Sequence, residues 1–134
     1  MSSISLLLVL MNSAWSNTLT VTSGTSIQGV VNTASSGDLI QIESGTYFDC
    51  INPNGLDLDF EGLGTVLING SSCSSTITVS GTKTITVSNV QLKNTGGLVL
   101  SVASTGNVTL DGVSVTGSGY SNQGQSSLGG VIYN

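Results

Sequence analysis

Asp57, Asp59 and Glu61 alternate with Leu56, Leu58 and Phe60 in the stretch LDLDFEG (56–62). If this segment is extended, with Leu58 and Phe60 inward, the acids share the outer face, about 6.5–7 Å from one to the next. Carboxylates so placed admit three readings. They can be a solvated face that keeps a sheet soluble. They can be clustered oxygens for Ca2+, with Asp57, Asp59 and Glu61 as ligands. Or Asp57 and Asp59 can be a pair for glycoside hydrolysis, at a spacing that suits inversion. The rest of the chain argues for the first. It has no histidine to exchange a proton near neutral pH and no arginine; Lys83 and Lys93 are its only bases. Lys83 falls in a turn and Lys93 one strand beyond, so neither aligns with the acids in the same coil. No Gly-x-Ser-x-Gly and no phosphate loop occurs, and the many serines lack a base to activate them. The expectation is a chain without catalytic residues and without a cofactor, Ca2+ being the one ion to test.

The charge balance narrows the partners. Seven acids oppose the two lysines for a net charge of −5. Binding to nucleic acid or to an anionic membrane needs a basic stripe that is missing. Val, Ile, Leu, Thr, Ser, Asn and Gly dominate, a composition of strands and turns in one domain of ordinary size. Ile4 to Met11, ISLLLVLM, is an apolar run far too short to span a bilayer as a helix, and Ala14-Trp15-Ser16 fits a small-x-small cleavage site. Residues 1–16 therefore read as a secretory signal and residues 17–134 as the mature domain, although the usual basic start is missing.

What must position the outer face is a repeat. Residues 76–97, TITVSGTKTITVSNVQLKNTGG, align without a gap on 99–120, VLSVASTGNVTLDGVSVTGSGY, at an offset of 23. Six apolar positions coincide: Ile77/Leu100, Val79/Val102, Ile85/Val108, Val87/Leu110, Val90/Val113 and Leu92/Val115. Within each copy they fall in pairs two apart, the period of a strand, and between the pairs lie turn residues such as Ser88-Asn89 and Asp111-Gly112. The acidic stretch supplies an earlier copy at an offset of 27, placing Leu58 on Ile85, Phe60 on Val87 and Leu63 on Val90, with the extra residues expected in 69–75. A strand this short buries its apolar side only when stacked on the next coil, about 4.8 Å away, so the repeat predicts a parallel solenoid. An antiparallel sandwich shares the turn spacing but not the register.

The ends differ from the middle. Ile27, Val30, Val31 and Ala34 have helical spacing, with Ser26 as N-cap and Gly37 as stop, which predicts a short helix over the first coil. Leu39, Ile40 and Ile42 then begin that coil. Residues 117–130 read as a long loop followed by a last strand in VIYN, with no cap after it.

The entry segment SIQGVVNTASSGDLIQIESGTYFDCIN (26–52) resembles that of right-handed parallel β-helix proteins of the pectin lyase-like superfamily, and DFEGLGTVLING (59–70) their next coil. GGVIYN (129–134) is similar to the Gly-Gly-Ala-Ile repeat of polymorphic outer membrane proteins. The resemblance implies an all-β, right-handed parallel β-helix of four to five coils of about 23 residues, which can be the N-terminal part of a longer solenoid. It says little about activity, because the superfamily holds lyases, hydrolases, esterases and adhesins. Its lyases and pectin esterases use a basic residue, usually arginine, beside their acids, and this chain has no arginine.

Together these readings predict a secreted or cell-surface module, structural or adhesive. The alternatives are a polysaccharide-active lyase or hydrolase, or its N-terminal part, and a carbohydrate-binding module, for which Tyr120 is the free aromatic and Tyr47 packs at the capped end. Outward Thr-x-Thr pairs such as Thr84 and Thr86 suggest an ice-binding array, which Asp57, Asp59 and Asn107 interrupt. Expected partners are an extracellular polysaccharide, another surface protein, or a second copy at the uncapped end. Export would let Cys50 and Cys73, one coil apart, form a disulfide; two buried thiols are the alternative. Asn69 and Asn107 head glycosylation sequons.

Overall fold

The structure, a computed structural model, describes residues 16–81, 84–104, 107–117, 120–122 and 131–133. The signal segment, apart from Ser16, and Lys83 lie outside the described residues. The chain winds as a parallel β-helix of about four coils built on three sheets. Sheet A stacks β1 (Thr18–Val21), β2 (Leu39–Ile42), β4 (Leu58–Gly62), β7 (Ile85–Ser88), β10 (Val108–Asp111) and β13 (Val131–Tyr133) in that order. Sheet B stacks β3 (Gly45–Tyr47), β5 (Val66–Asn69), β8 (Gln91–Asn94) and β11 (Ser114–Gly117). Sheet C stacks β6 (Ser75–Gly81), β9 (Leu98–Ser104) and β12 (Tyr120–Asn122), with Ile51 bridging to Ile77 as a single-residue rung above them. Each of these pairings is parallel, so each rung completes the backbone hydrogen bonds of the next.

The register follows the aliphatic positions. Ile85 pairs with Val108, Val87 with Leu110, Ile77 with Leu100, Val79 with Val102 and Leu92 with Val115. In the earlier coil Leu58 meets Ile85 and Phe60 meets Val87. The inward side chains, with Phe60 among them, are 0–2% exposed along these columns and form one continuous core, except Val115 in the last described rung of sheet B, which is partly buried against it. Burying each contributes about 1.5–3 kcal/mol, most of it offset by the chain entropy of ordering the coil. Corners between sheets A and B need a left-handed residue, supplied by Gly64 (φ +79°), Asn89 (φ +58°) and Gly112 (φ +62°).

Four details depart from the expectations. Leu63 does not stack on Val90: it is 38% exposed, and Val66 takes the position next to Val90, because Leu67 pairs with Gln91. Most of the extra length of this coil therefore lies at the sheet A–B corner. Leu58 to Leu67 takes nine steps where Ile85 to Gln91 takes six. Only one further residue is added in the following turn, Leu67 to Ser75 taking eight steps where Gln91 to Leu98 takes seven. Gly62 makes the bulging corner work, since a Cβ there would overlap the Asn89 carbonyl.

Second, the helix is shorter than its apolar spacing suggested. Helix α1 spans Ile27–Val31; Ser26 caps it by accepting from Gly29 N–H at 3.0 Å. It stops early because Thr33 Oγ1 donates to the Val30 carbonyl (2.7 Å) and the amides of Thr33 and Ala34 bond three residues back, tightening the turn. Third, β1 adds a rung before the first expected coil, Thr18 facing Leu39. Fourth, the stretch 117–130 is not all loop: β12 lies within it, Tyr120 opposite Leu100.

Candidate functional site

The outer face of sheet A is where the sequence placed its chemistry. Register sets Asp59 between Leu39 and Thr86, and Glu61 between Gln41 and Ser88, with Asp111 beyond Ser88. The three acids of the stretch nevertheless have three different surroundings. Asp57, half-buried just before β4, accepts a hydrogen bond from Thr84 N–H on Oδ1 at 2.7 Å. Its own N–H donates to Ser36 Oγ (2.8 Å) and its carbonyl accepts from Gly37 N–H (2.7 Å). It thus ties the entries of three successive coils together. Glu61 accepts from Gln41 Nε2 at 3.2 Å, across one rung. Asp59 is exposed on the sheet face.

Asp57, Asp59 and Glu61 are therefore not brought together as a Ca2+ set. Among the described residues no group of three or more His, Cys, Asp or Glu side chains could hold a metal ion. Asp57 and Asp59 also differ in surroundings: one is a hydrogen-bonded staple, the other open to solvent.

Two further acids serve the N-terminal end, and the sequence did not single them out. Asp49 Oδ2 accepts from Ile27 N–H (2.7 Å), Gln28 N–H (3.2 Å) and Ser26 Oγ (3.2 Å). The free amides of the first helical turn are thus satisfied from 21 or 22 residues away. Asp38 is 3% exposed and accepts from Asn17 N–H on Oδ1 (3.0 Å) and Ser35 N–H on Oδ2 (2.8 Å). Finding these acids in the sequence would have required knowing which turn faces which.

Cys50 and Cys73 form a disulfide with their Cα atoms 6.0 Å apart, joining the first coil to the turn before β6. The neighbouring turn is organised by Asn94, fully buried at the end of β8. Its Nδ2 lies 2.8–3.1 Å from the carbonyls of Gly70, Cys73 and Leu98, and its Oδ1 accepts from the amides of Gly96 and Gly97. Of the sequon residues, Asn69 is half-buried with Oδ1 accepting from Ser71 N–H (3.0 Å), and Asn107 is exposed.

Two shallow hollows mark the surface. One, of about 290 Å³, follows the sheet A–B corner past Thr65, Asn89, Gln91 and Ser114 and holds no ionisable group. The other, of about 330 Å³, lies beside α1 between Thr25, Thr46, Phe48 and Asp49. Phe48 is 76% exposed, whereas Tyr47 is buried and donates from its hydroxyl to the Glu43 carbonyl at 2.7 Å. Burial, with the Glu43 charge beside it, raises the Tyr47 phenol above its usual range. No helix among the described residues is long and apolar enough to cross a membrane. No family model, no curated protein and no solved structure matches the chain.

Proposed function

We propose that the chain is an exported structural or adhesive module, a β-helix of the pectin lyase-like kind, acting as a stiff surface element without chemistry of its own. The observation that carries this reading is the use made of the carboxylates. Asp38, Asp49 and Asp57 each accept backbone N–H groups that hold the winding together, and Glu61 accepts from Gln41 on the next rung. A carboxylate that performs acid–base work needs access to substrate and a proton path, and these are occupied by the fold. The disulfide supports an oxidising compartment. The test is direct. Purified protein is assayed for retention on cell-wall polysaccharides and on intact cells, and in parallel for turnover of polygalacturonate with and without Ca2+. Retention without turnover is expected. Turnover that disappears in Asp59→Ala would replace this reading with the enzymatic one.

A carbohydrate-binding role is the second reading, favoured by the hollow beside Phe48. An exposed aromatic ring flanked by the hydroxyl-bearing Thr25 and Thr46 offers a stacking face with polar edges, the usual composition of a small-ligand site. Phe48→Ala is expected to weaken polysaccharide retention at least severalfold if this hollow carries it, and to leave it unchanged if the sheet faces do.

A further inference from the structure

We propose that cleavage between Ser16 and Asn17 creates the group that completes the N-terminal end of the solenoid: the new α-ammonium of Asn17, paired with the buried carboxylate of Asp38. This rests on the reading of the chain as exported. The small-x-small pattern Ala14-Trp15-Ser16 and the contact between Asn17 N and Asp38 Oδ1 are independent observations that point to the same bond.

The geometry is already in place. Asn17 is held at the head of β1 by Leu39 N–H, which donates to its carbonyl at 2.9 Å. Its own nitrogen lies 3.0 Å from Asp38 Oδ1. Asp38 is fixed from the other side by Ser35 N–H on Oδ2. The carboxylate is 3% exposed, and a buried charge of this kind calls for a counter-charge. Among the described residues the one cationic side chain is Lys93, on sheet B two coils further on, which leaves Asp38 with amide partners only. Asn17 itself is exposed, so a chain end there needs no new cavity.

The step balances as an ordinary hydrolysis by an endopeptidase of the export pathway. The Ser16 C–N Asn17 bond breaks, water supplies the hydroxyl to the Ser16 carboxyl and a hydrogen to the Asn17 nitrogen, and a further proton from solvent makes the ammonium. A neutral N–H···O⁻ bond is thereby replaced by N⁺–H···O⁻, adding the attraction of two unit charges about 3 Å apart in a site partly shielded from water. Processing at this bond therefore tightens the end of the stack. Cleavage one residue earlier would put the charge on Ser16 and leave the Asn17 N–H a neutral amide donor to Asp38.

The full chain is to be expressed in an exporting host and the N-terminus of the secreted product read by mass spectrometry. A product beginning at Asn17 is expected. Retention in the cell would remove the export reading; export with cleavage at another bond would overturn this proposal alone. In the product beginning at Asn17, acylation of the α-amine, which needs the unprotonated form, is expected to run roughly tenfold slower than in the urea-unfolded chain. Equal rates overturn the ion pair. A product retaining Ser16 is expected to melt about 5 °C lower than one beginning at Asn17, and Asp38→Asn is expected to erase that difference. A difference that persists in Asp38→Asn also overturns the proposal. Should Asp38→Asn not fold, the acylation rate in the unaltered chain still decides.

Discussion

Asp57 and Asp59 look equivalent in the sequence, two acids alternating with leucines, and the fold separates them completely. Asp57 carries a backbone N–H from the third coil and Asp59 faces water. Asp57→Ala leaves the Thr84 amide without its partner and is expected to destabilise by about 1–3 kcal/mol. Asp59→Ala should stay within about 0.5 kcal/mol. Urea denaturation of the two variants decides it, and equal losses would mean that Asp57 is as solvated as its neighbour. Tyr47 gives a second single-residue expectation. Its phenol is raised above 10.0 because burial disfavours the charged form and Glu43 repels it. The unfolded chain therefore ionises first: stability is intact below about pH 10 and falls as pH rises through the folded value. Tyr47→Phe is expected to flatten that alkaline decline while costing about 1 kcal/mol at pH 7 for the lost bond to the Glu43 carbonyl. Unfolding curves at the two ends of that range test both signs.

At the level of strands and turns, the sequence was legible wherever a residue's place depended only on its coil. Ile85, Val87 and Leu92 could be matched with Val108, Leu110 and Val115 because stacking keeps one apolar side chain above another at a constant count. Ser88-Asn89 and Asp111-Gly112 could be read as corners because few residues tolerate positive φ. Leu63 was misread for a physical reason. Its corner is widened by three residues, so a count from the strand before it stops three residues short of Val66, which restores the column. The bonds from Asp38 to Asn17 and from Asp49 to Ile27 were not legible because each reaches backbone about one coil away, which no local pattern encodes. The disulfide lies between these two kinds. The spacing of its cysteines is one repeat, yet the local register is 26, Ile51 facing Ile77, so the bridge crosses the rungs obliquely. Closing a loop of this length stabilises by about 3 kcal/mol in the chain-entropy account. The paired substitution Cys50→Ser with Cys73→Ser is expected to lower stability by that amount without changing the far-ultraviolet circular dichroism of the sheets. A loss of the strand signal would show that the bridge is needed to form the winding and not merely to hold it.

A solenoid's stability is a sum over coils and their neighbouring faces, so it need not be uniform along the axis. Here the ties are concentrated at one end. The disulfide joins the first two coils, Asp49 secures α1, Asp38 secures the start of β1, and Asp57 spans three coils. Among the described residues no disulfide and no carboxylate-to-backbone bond reaches β10 or β11; those strands are joined to the stack by ladder hydrogen bonds and aliphatic packing. Hydrogen exchange should therefore be graded, with the amides of β2, β4 and β7 slower than those of β10 and β11. The gradient has a cause that can be removed. In the Cys50→Ser, Cys73→Ser chain the protection of the first two coils should fall toward that of the fourth, while β10 and β11 barely change. Uniform exchange in the unaltered chain would mean that the stack opens as one cooperative unit and that the ties at its head add to the total without shaping where it frays. Loss of protection first at β1 and β2 would reverse the order argued here and make the capped end the weak one.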